Sequence, residues 1–471
     1  MSRIVFLFPR SSLWFSFHRW LSHTQIGKIG LLAVPKKELT LFDSTCLIVG
    51  IIIGAGIYQT APDIAKGVAS SWGILAIWIV GGILSLFGAL GYAELATAYP
   101  QQGGDYVYLS RAYGPWAGFL FGWIQLAIVR PGDIAIMAFA FATYARTIYD
   151  PLAHSSFPYS QQFYAGAAVV VLTLINILGV KEGKWTQNLL TTVKVLGLLA
   201  IVVVAAILPT ASPSNATFDP FPFSVALILV LFTFGGWNEM AYVAAEVKNP
   251  QRNIVRALVL GTVSVTVIYL LANGAFLHSL GLTGMATSEA VATDTVTILL
   301  PDIGGRLISA LICFSALGAV NGLVFTGARI SYAVGKDHRA FKALGKWDSY
   351  TGTPIRALLV QALIAVSLIA LLGSFINTIL YTAAAVYLFY LATSLAVFVL
   401  RIKEPNIERP YRVTGYPFTT LIFCLVCGFL IYSAVVYKPL IATTSCLLIP
   451  FGLPIYWLSR RSPAATVKSS K

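Results

Sequence analysis

Two glycine-containing stretches decide the fold: GIIIGAGIY at residues 50–58 and FGGWN at residues 234–238. Each lies within an apolar run of about 20 residues, which is long enough to cross the hydrocarbon core of a bilayer. Glycine is the weakest helix former after proline, by about 1 kcal/mol relative to alanine, and its missing Cβ leaves backbone groups accessible. We therefore expect both helices to open at these points. The alternative is close helix packing through small residues.

The positions of the two stretches favour opening over packing. They fall in the first and sixth apolar runs, which is the same place in two halves of five runs each. This correspondence is typical of transporters built from inverted repeats, in which broken helices form a site near the middle of the membrane.

The composition excludes a water-soluble globule. The 471 residues are 57% hydrophobic and 11% charged, whereas an ordinary soluble domain has about 25% charged residues. The mean hydropathy is +0.79. A net charge of +14 would suggest nucleic acid binding in a soluble protein, but the basic residues lie between apolar runs. Nucleic acid is therefore not an expected partner.

Apolar runs separated by glycine, proline and charge predict twelve membrane-spanning helices. They begin near residues 42, 73, 116, 162, 187, 222, 254, 304, 355, 376, 417 and 439. With the N-terminus inside, 25 Lys and Arg residues face the cytoplasm and four face outward. The positive-inside rule therefore places both termini in the cytoplasm.

These patterns predict an all-α integral membrane protein that crosses the cell (inner) membrane many times. We expect a five-plus-five inverted repeat with discontinuous helices 1 and 6, and two extra C-terminal helices. The predicted regions are a cytoplasmic N-terminal extension (1–37), a ten-helix transport core (38–401), helices 11 and 12 (402–458) and a basic cytoplasmic tail (459–471).

The first 34 residues carry four basic residues and no acid, together with several aromatic side chains. Three interpretations stay open. The segment is a functionless extension from an upstream start codon, a basic and aromatic segment on the inner membrane surface, or a targeting signal.

No cofactor or metal site is expected. The five cysteines lie in apolar segments, and the CxxC pair at Cys424 and Cys427 lacks the polar partners that redox or zinc chemistry needs. None of the five histidines lies near another or near an acidic pair within a span. A membrane-embedded enzyme therefore lacks candidate catalytic groups, and a channel would lack its continuous polar ring.

The chemistry of an opened helix points to an amino acid. Free N–H groups at the start of one half suit a carboxylate, and free C=O groups at the end of the other half suit an ammonium. An α-amino acid carries both groups. The candidate side chains around the breaks are all apolar, which favours a neutral substrate: Ile52, Ile53, Ala55, Phe232, Phe234 and Trp237.

Seven motifs give the chain a resemblance to the L-type amino acid transporters of the amino acid, polyamine and organocation superfamily. They are FTFGGWNEMAYVAAEVKNPQRNIVRA at 232–257, GAGIY at 54–58, YAEL at 92–95, GGDY at 103–106, RP at 130–131, VNG at 320–322 and ERP at 408–410. The resemblance covers about residues 38 to 440. It implies a twelve-helix transporter that works by alternating access, usually without sodium and often as an obligate exchanger.

The resemblance also implies roles for residues in the first span. The backbone of Ala55, Gly56 and Ile57 corresponds to the segment that takes the substrate carboxylate. The carbonyl groups of Ile52 and Ile53 correspond to those near the substrate amino group. Ala55 stands where serine is common in the family, so one hydroxyl contact is missing and the selectivity is expected to differ.

The resemblance assigns roles in the sixth span as well. Phe232 corresponds to the aromatic residue that closes over the substrate from outside. Gly235 corresponds to a position whose missing side chain leaves room for the substrate, and Phe234 to a position that is often aromatic.

Three basic residues lie inside predicted spans. Lys194 could extend to the interface, but the resemblance implies that its ammonium sits near the unwound part of span one, in place of the sodium of related transporters. Arg130 is expected to form a local ion pair with Asp133 beside a kink at Pro131. Arg329 is expected to reach the interface or an inner-loop acid.

Two acids lie seven residues apart on one face of the inner half of span six. Glu246 is expected to be an ion-pair partner at the inner gate. Glu239 is a candidate for accepting a proton or a second substrate amine. The predicted coupling and gating residues are Arg130, Lys194, Trp237, Asn238, Glu239 and Glu246.

The sequence therefore predicts a transporter of neutral L-amino acids. It does not decide between exchange of amino acids and transport coupled to a proton. The alternative is a cationic amino acid or polyamine carrier, for which Glu239 is the only candidate pocket carboxylate. Similar animal proteins join a glycoprotein through a cysteine between spans three and four. Residues 146–161 contain no cysteine, so we expect no disulfide-linked heavy subunit.

Overall fold

The structure is a computed structural model that describes residues 36–151, 159–211, 223–372, 375–437 and 439–459. The interpretations of residues 1–34, and most of the predicted basic tail, concern residues outside these ranges.

The described chain is helical. Its α-helices are α1 (Leu41–Ile52), α2 (Gly56–Gln59), α3 (Ala61–Val68), α4 (Ser71–Ala98), α5 (Asp105–Tyr113), α6 (Pro115–Ile124), α7 (Arg130–Ile148), α8 (Ser160–Leu178), α9 (Val180–Ile207), α10 (Phe223–Thr233), α11 (Pro250–Thr287), α12 (Val291–Thr297), α13 (Gly304–Asp337), α14 (Ile355–Leu372), α15 (Phe375–Lys403), α16 (Phe418–Tyr437) and α17 (Pro439–Ser459). Within the described ranges, the only strand-like pairing is one isolated bridge between Leu39 and Val247. The prediction of an all-α chain is confirmed.

Nine helical segments among the described residues are long and apolar enough to cross a membrane. They are Leu41–Gln59, Ser71–Ala98, Pro115–Ile148, Ser160–Leu178, Val180–Ile207, Phe223–Glu246, Pro250–Thr287, Gly304–Asp337 and Ala385–Lys403. In α9, Leu196 and Val203 are exposed whereas Leu198 and Ile201 are buried. Because both faces of this helix are apolar, its outer face is suited to lipid rather than water.

Predicted and observed helix starts agree within four residues, with one larger difference in α9. This helix begins at Val180, seven residues before the predicted start of span five. Lys181 and Lys184 interrupt the apolar run near the start of α9, but a helix can continue past the bilayer when long basic side chains extend into the aqueous phase.

A π-helical turn over Gln125–Val129 joins α6 to α7 immediately before Arg130 and Pro131. Proline lacks an N–H group and its ring collides with the carbonyl one turn earlier, so a regular helix cannot pass through it without adjustment. A single π-turn accommodates this mismatch. It also fixes where Arg130 enters the bundle.

Candidate substrate site

The first predicted break is present between α1 and α2. α1 ends at Ile52, Ile53 leaves helical geometry with ψ 80°, and α2 begins at Gly56. Among the described residues, the backbone N–H groups of residues 55–57 donate to no protein acceptor, as expected at the start of a helix. These are the groups to which the resemblance assigns the substrate carboxylate.

The second predicted break is present between α10 and a 3₁₀ helix that covers Trp237–Glu246. α10 ends at Thr233. Gly236 then adopts φ 111°, a left-handed conformation that side chains other than hydrogen disfavour. The glycine pair therefore sets the position at which the sixth helical segment changes direction.

The two breaks touch each other through glycine. A Cβ on Gly56 would lie 3.2 Å from Cγ2 of Thr233, and a Cβ on Gly236 would lie 2.6 Å from Cγ2 of Ile51. The second distance is shorter than any ordinary carbon contact. Close approach of the two broken helices at this point therefore depends on the absence of a side chain.

Two residues that the sequence did not single out hold the breaks together. Tyr269 on α11 donates its hydroxyl to the carbonyl oxygens of Ile52, at 2.9 Å, and Thr233, at 3.2 Å. Ser315 on α13 donates to the carbonyl oxygens of Ile53 and Gly54. In the sequence, each of the two is only a residue with a hydroxyl group in an apolar span. Such residues are common, so they do not indicate a site until the fold is known.

Lys194 lies at the first break and not at the membrane interface. Its ammonium donates hydrogen bonds of 2.7 Å to the carbonyl oxygens of Gly50, Ile53 and Ser315. The residue is 0% exposed. Three carbonyl acceptors satisfy the three N–H bonds of an ammonium. Ile53, one of the two predicted acceptors for the substrate amino group, is thus already bonded to protein donors.

The predicted pocket residues in the sixth segment fall into two groups. Gly235 is partly exposed, and apart from the Phe232 backbone no other atom lies within 4 Å of the position that its Cβ would occupy. Phe232 is also partly exposed. These two residues border open space at the break.

The other aromatic residues predicted at this break pack into the bundle. Phe234 is fully buried against Trp78 and Tyr269. Trp237 contacts the rings of Tyr92 and Tyr390. Their contacts are with neighbouring helices, so they shape the wall of the site through packing.

Asn238 belongs to a buried hydrogen-bond network. Its amide donates to the hydroxyl of Tyr242 and accepts from that of Tyr390. The carboxylate of Asp105 accepts hydrogen bonds from Tyr92, Tyr242 and Thr393.

The expected local ion pair between Arg130 and Asp133 is not formed. Arg130 donates instead to Oε1 of Glu239 at 2.8 Å, and both side chains are almost completely buried. The pair joins α7 to the 3₁₀ helix. Arg130 and Asp133 are three residues apart on α7, a spacing that allows a local ion pair. The fold, however, places the carboxylate of Glu239 closer to the guanidinium than that of Asp133.

Glu246 forms the expected inner ion pair, and its partner is Arg329. The guanidinium donates to both carboxylate oxygens, at 2.8 and 3.0 Å, and both side chains are 0% exposed. Gln102 adds a third hydrogen bond to the same carboxylate. Arg329 therefore pairs with an acid inside the bundle and does not extend to the interface.

The model of one protein family, described as amino acid permease, matches residues 39–458. The chain belongs to the amino acid permease family. Such a permease is a membrane transporter of amino acids and not an enzyme, as the sequence predicted. Among the described residues, no group of three or more His, Cys, Asp or Glu side chains could hold a metal ion.

Individual relatives cover nearly the whole permease chain. The b(0,+)-type amino acid transporter 1 of Mus musculus is 32% identical over 90% of this chain and 88% of its own length. The serine/threonine exchanger SteT of Bacillus subtilis is 32% identical over 91% and 98%. The large neutral amino acids transporter small subunit 2 of Mus musculus is 31% identical over 90% and 81%. The resemblance to L-type amino acid transporters is therefore confirmed.

Proposed function

We propose that this permease moves neutral L-amino acids by alternating access, with the substrate held between the two breaks. Two observations carry the proposal: the two breaks are in contact, and among the described residues the backbone N–H groups of residues 55–57 have no protein acceptor. The N–H groups bind the carboxylate, and the substrate amino group lies near the carbonyl groups of Ile52 and Ile53, which already accept hydrogen bonds from protein donors. Open space beside Gly235 receives the substrate side chain.

Apolar surroundings support a neutral substrate. The nearby side chains of Ile52, Ile53 and Ala55 carry no charge, and an isolated charged group costs several kcal/mol in such a place. Two of the relatives are named for neutral substrates, one as a serine/threonine exchanger and one as a large neutral amino acids transporter. The alternative of a cationic amino acid or polyamine carrier is weakened because Arg130 occupies the carboxylate of Glu239.

We further propose that Lys194 takes the place of a sodium ion. Its ammonium links the carbonyl groups of α1 to Ser315 on α13, so that closing and opening of α1, the inner half of span one, depends on this contact. Transport is then independent of sodium.

The wider architecture is proposed on the same basis. We infer twelve spans in a five-plus-five inverted repeat with two extra C-terminal helices. The regions are residues 1–37, 38–401, 402–458 and 459–471 as predicted from the sequence. The protein is placed in the cell membrane with both termini in the cytoplasm. It works without a disulfide-linked heavy subunit, since residues 146–161 lack cysteine.

Counterflow in proteoliposomes tests the proposal. Vesicles loaded with unlabelled alanine, serine, leucine or methionine are diluted into the labelled amino acid, in sodium or choline buffer. We expect accumulation of label for neutral L-amino acids, equal in both buffers, and little for D-isomers. Counterflow of lysine or putrescine with none for neutral amino acids would favour the cationic alternative.

A further inference from the structure

Asp133 is a carboxylate without a protein partner inside the bundle. It lies on α7 one turn after Arg130, and no hydrogen bond or ion pair joins it to another described residue, since the guanidinium is bonded to Glu239. The neighbouring Arg130 and Ile134 are buried, but Asp133 is partly exposed. Its side chain is therefore not completely enclosed by protein.

The charges around Asp133 do not balance. Arg130 and Glu239 interact with it electrostatically, and together the three groups carry one positive and two negative charges when all are ionised. The pair itself is incomplete, because Nε of Arg130 and Oε2 of Glu239 are buried without a hydrogen-bond partner. Buried charges are normally paired, and an unpaired carboxylate in an apolar medium is neutralised instead.

Among the described residues, the charged side chains on the helices packed against α7 are bonded elsewhere or lie at helix ends. On α15, Arg401 is paired with Glu94 and Lys403 donates to the backbone of Arg111. Of the helices packed on α7, α8 carries no Asp, Glu, Lys, Arg or His, and α14 carries only Arg356 in its first turn.

On α13, Arg329 is bonded to Glu246, and the other charged residues lie at the two ends of the helix: Arg306, Lys336 and Asp337. The hydroxyl of Tyr390 also lies within electrostatic range of Asp133.

Asp133 also lies next to the proposed substrate site. Met137, one turn further along the same face of α7, has its sulfur 3.1 Å from the position that a Cβ on Gly54 would occupy. Four residues of helix rise by about 6 Å. The unpaired carboxylate is therefore about one turn away from the first break, and Glu239 follows directly on the second.

We propose that Asp133 is the proton-binding site of this transporter and that each transport cycle carries one proton with the amino acid. The inference rests on the proposed function. A proton from water adds to one carboxylate oxygen of Asp133 while Arg130 is bonded to Glu239. When the 3₁₀ helix separates from α7, Arg130 is free to pair with Asp133, three residues away on the same helix. The O–H bond then breaks and the proton returns to water on the other side.

A proton fits this site better than a cationic substrate side chain does. A second guanidinium or ammonium beside Asp133 would lie next to Arg130 and would be repelled by it. A proton removes the surplus charge without introducing a bulky cation into the surrounding apolar pocket.

The experiment measures uptake of labelled alanine into empty proteoliposomes, with and without an inward proton gradient of about 2 pH units. With one proton carried per substrate molecule, this gradient can support up to about 100-fold accumulation. Pyranine inside the vesicles reports proton entry. We expect the wild type to show about tenfold higher uptake with the gradient, within that limit. In Asp133→Asn, the ratio of uptake with and without the gradient falls to about 1. Asp133→Glu restores a ratio above 1.

Asp302→Asn is the matched control, because Asp302 is an exposed aspartate outside the helices, and it should keep the wild-type ratio.

A wild type that shows counterflow but no proton entry overturns the inference and leaves the proposed function intact. Absence of counterflow for every neutral amino acid overturns the proposed function itself. If labelled arginine is carried and Asp133→Asn abolishes only that transport, Asp133 binds a substrate cation and not a proton. Should Asp133→Asn fail to fold, proton entry with alanine in the wild type decides whether transport is coupled to protons. A shift in the pH dependence of uptake in Asp133→Glu then decides whether Asp133 binds the proton.

Discussion

At the scale of single residues, Lys194 is held inside the bundle by backbone carbonyl groups and not by an acidic side chain. Its ammonium makes three hydrogen bonds of 2.7 Å to backbone carbonyl groups, and hydrogen bonds that involve a charged group are about twice as strong as neutral ones. Two of the acceptors exist because α1 stops being regular near Gly50 and Ile53. The lysine and the helix break therefore stabilise each other.

Replacing this lysine should abolish exchange. In Lys194→Ala, the carbonyl groups of Gly50, Ile53 and Ser315 lose a buried donor, which costs about 1–3 kcal/mol for each group left unsatisfied. We expect counterflow to fall at least about tenfold, since 1.4 kcal/mol is a factor of ten. Lys181→Ala is the control, because Lys181 is an exposed lysine on the same helix. Intact exchange in Lys194→Ala would contradict the proposed role.

Gly318 sets the space that the ammonium occupies. A Cβ on Gly318 would lie 2.7 Å from Nζ of Lys194, so Gly318→Ala should displace the ammonium and weaken at least one of its hydrogen bonds. We expect exchange to fall by about tenfold or more, because one hydrogen bond to a charged group is worth about 1.5–3 kcal/mol. Gly305→Ala on the same helix has its nearest neighbour at 3.9 Å and should exchange normally. Equal rates for the two variants would rule out this account.

At the scale of helices, the second break depends on a single backbone conformation. Gly236 has φ 111° and packs on Ile51 of α1. Gly236→Ala should strain the backbone and separate the two breaks, lowering the free energy of unfolding by about 1–3 kcal/mol. Thermal unfolding in detergent, together with counterflow, measures both effects. Gly274→Ala, with no atom within 4 Å, should be as stable as the wild type; a similar loss in both variants would contradict the prediction.

At the scale of the whole molecule, local features were predictable and distant partners were not. The breaks at residues 50–58 and 234–238 could be predicted because glycine weakens a helix wherever the rest of the chain lies. The partner of Arg130 could not, since Glu239 is 109 residues away in sequence and only helix packing brings the two together. The same limit applies to Tyr269, whose hydroxyl is significant only because it reaches both breaks.

The inner ion pair joins the parts of the molecule that carry the site. Glu246 ends the 3₁₀ helix, Arg329 belongs to α13, and the carbonyl of Glu246 accepts the N–H groups of Glu38 and Leu39 just before α1. Both side chains are completely buried. The predicted role of Glu246 at the inner gate therefore requires this pair to separate when that end opens.

A double-mutant cycle on this pair should show strong coupling. Glu246→Gln or Arg329→Gln alone leaves one buried charge uncompensated, which typically costs about 3–5 kcal/mol. The double variant leaves no charge, so its thermal unfolding in detergent should lie closer to the wild type than the sum of the single losses predicts. Asp63→Asn, which breaks an exposed pair with Lys66, should change stability by less than about 1 kcal/mol. Additive losses in the cycle would mean that the two charges stabilise the closed end independently, and the pair would then not act as a gate.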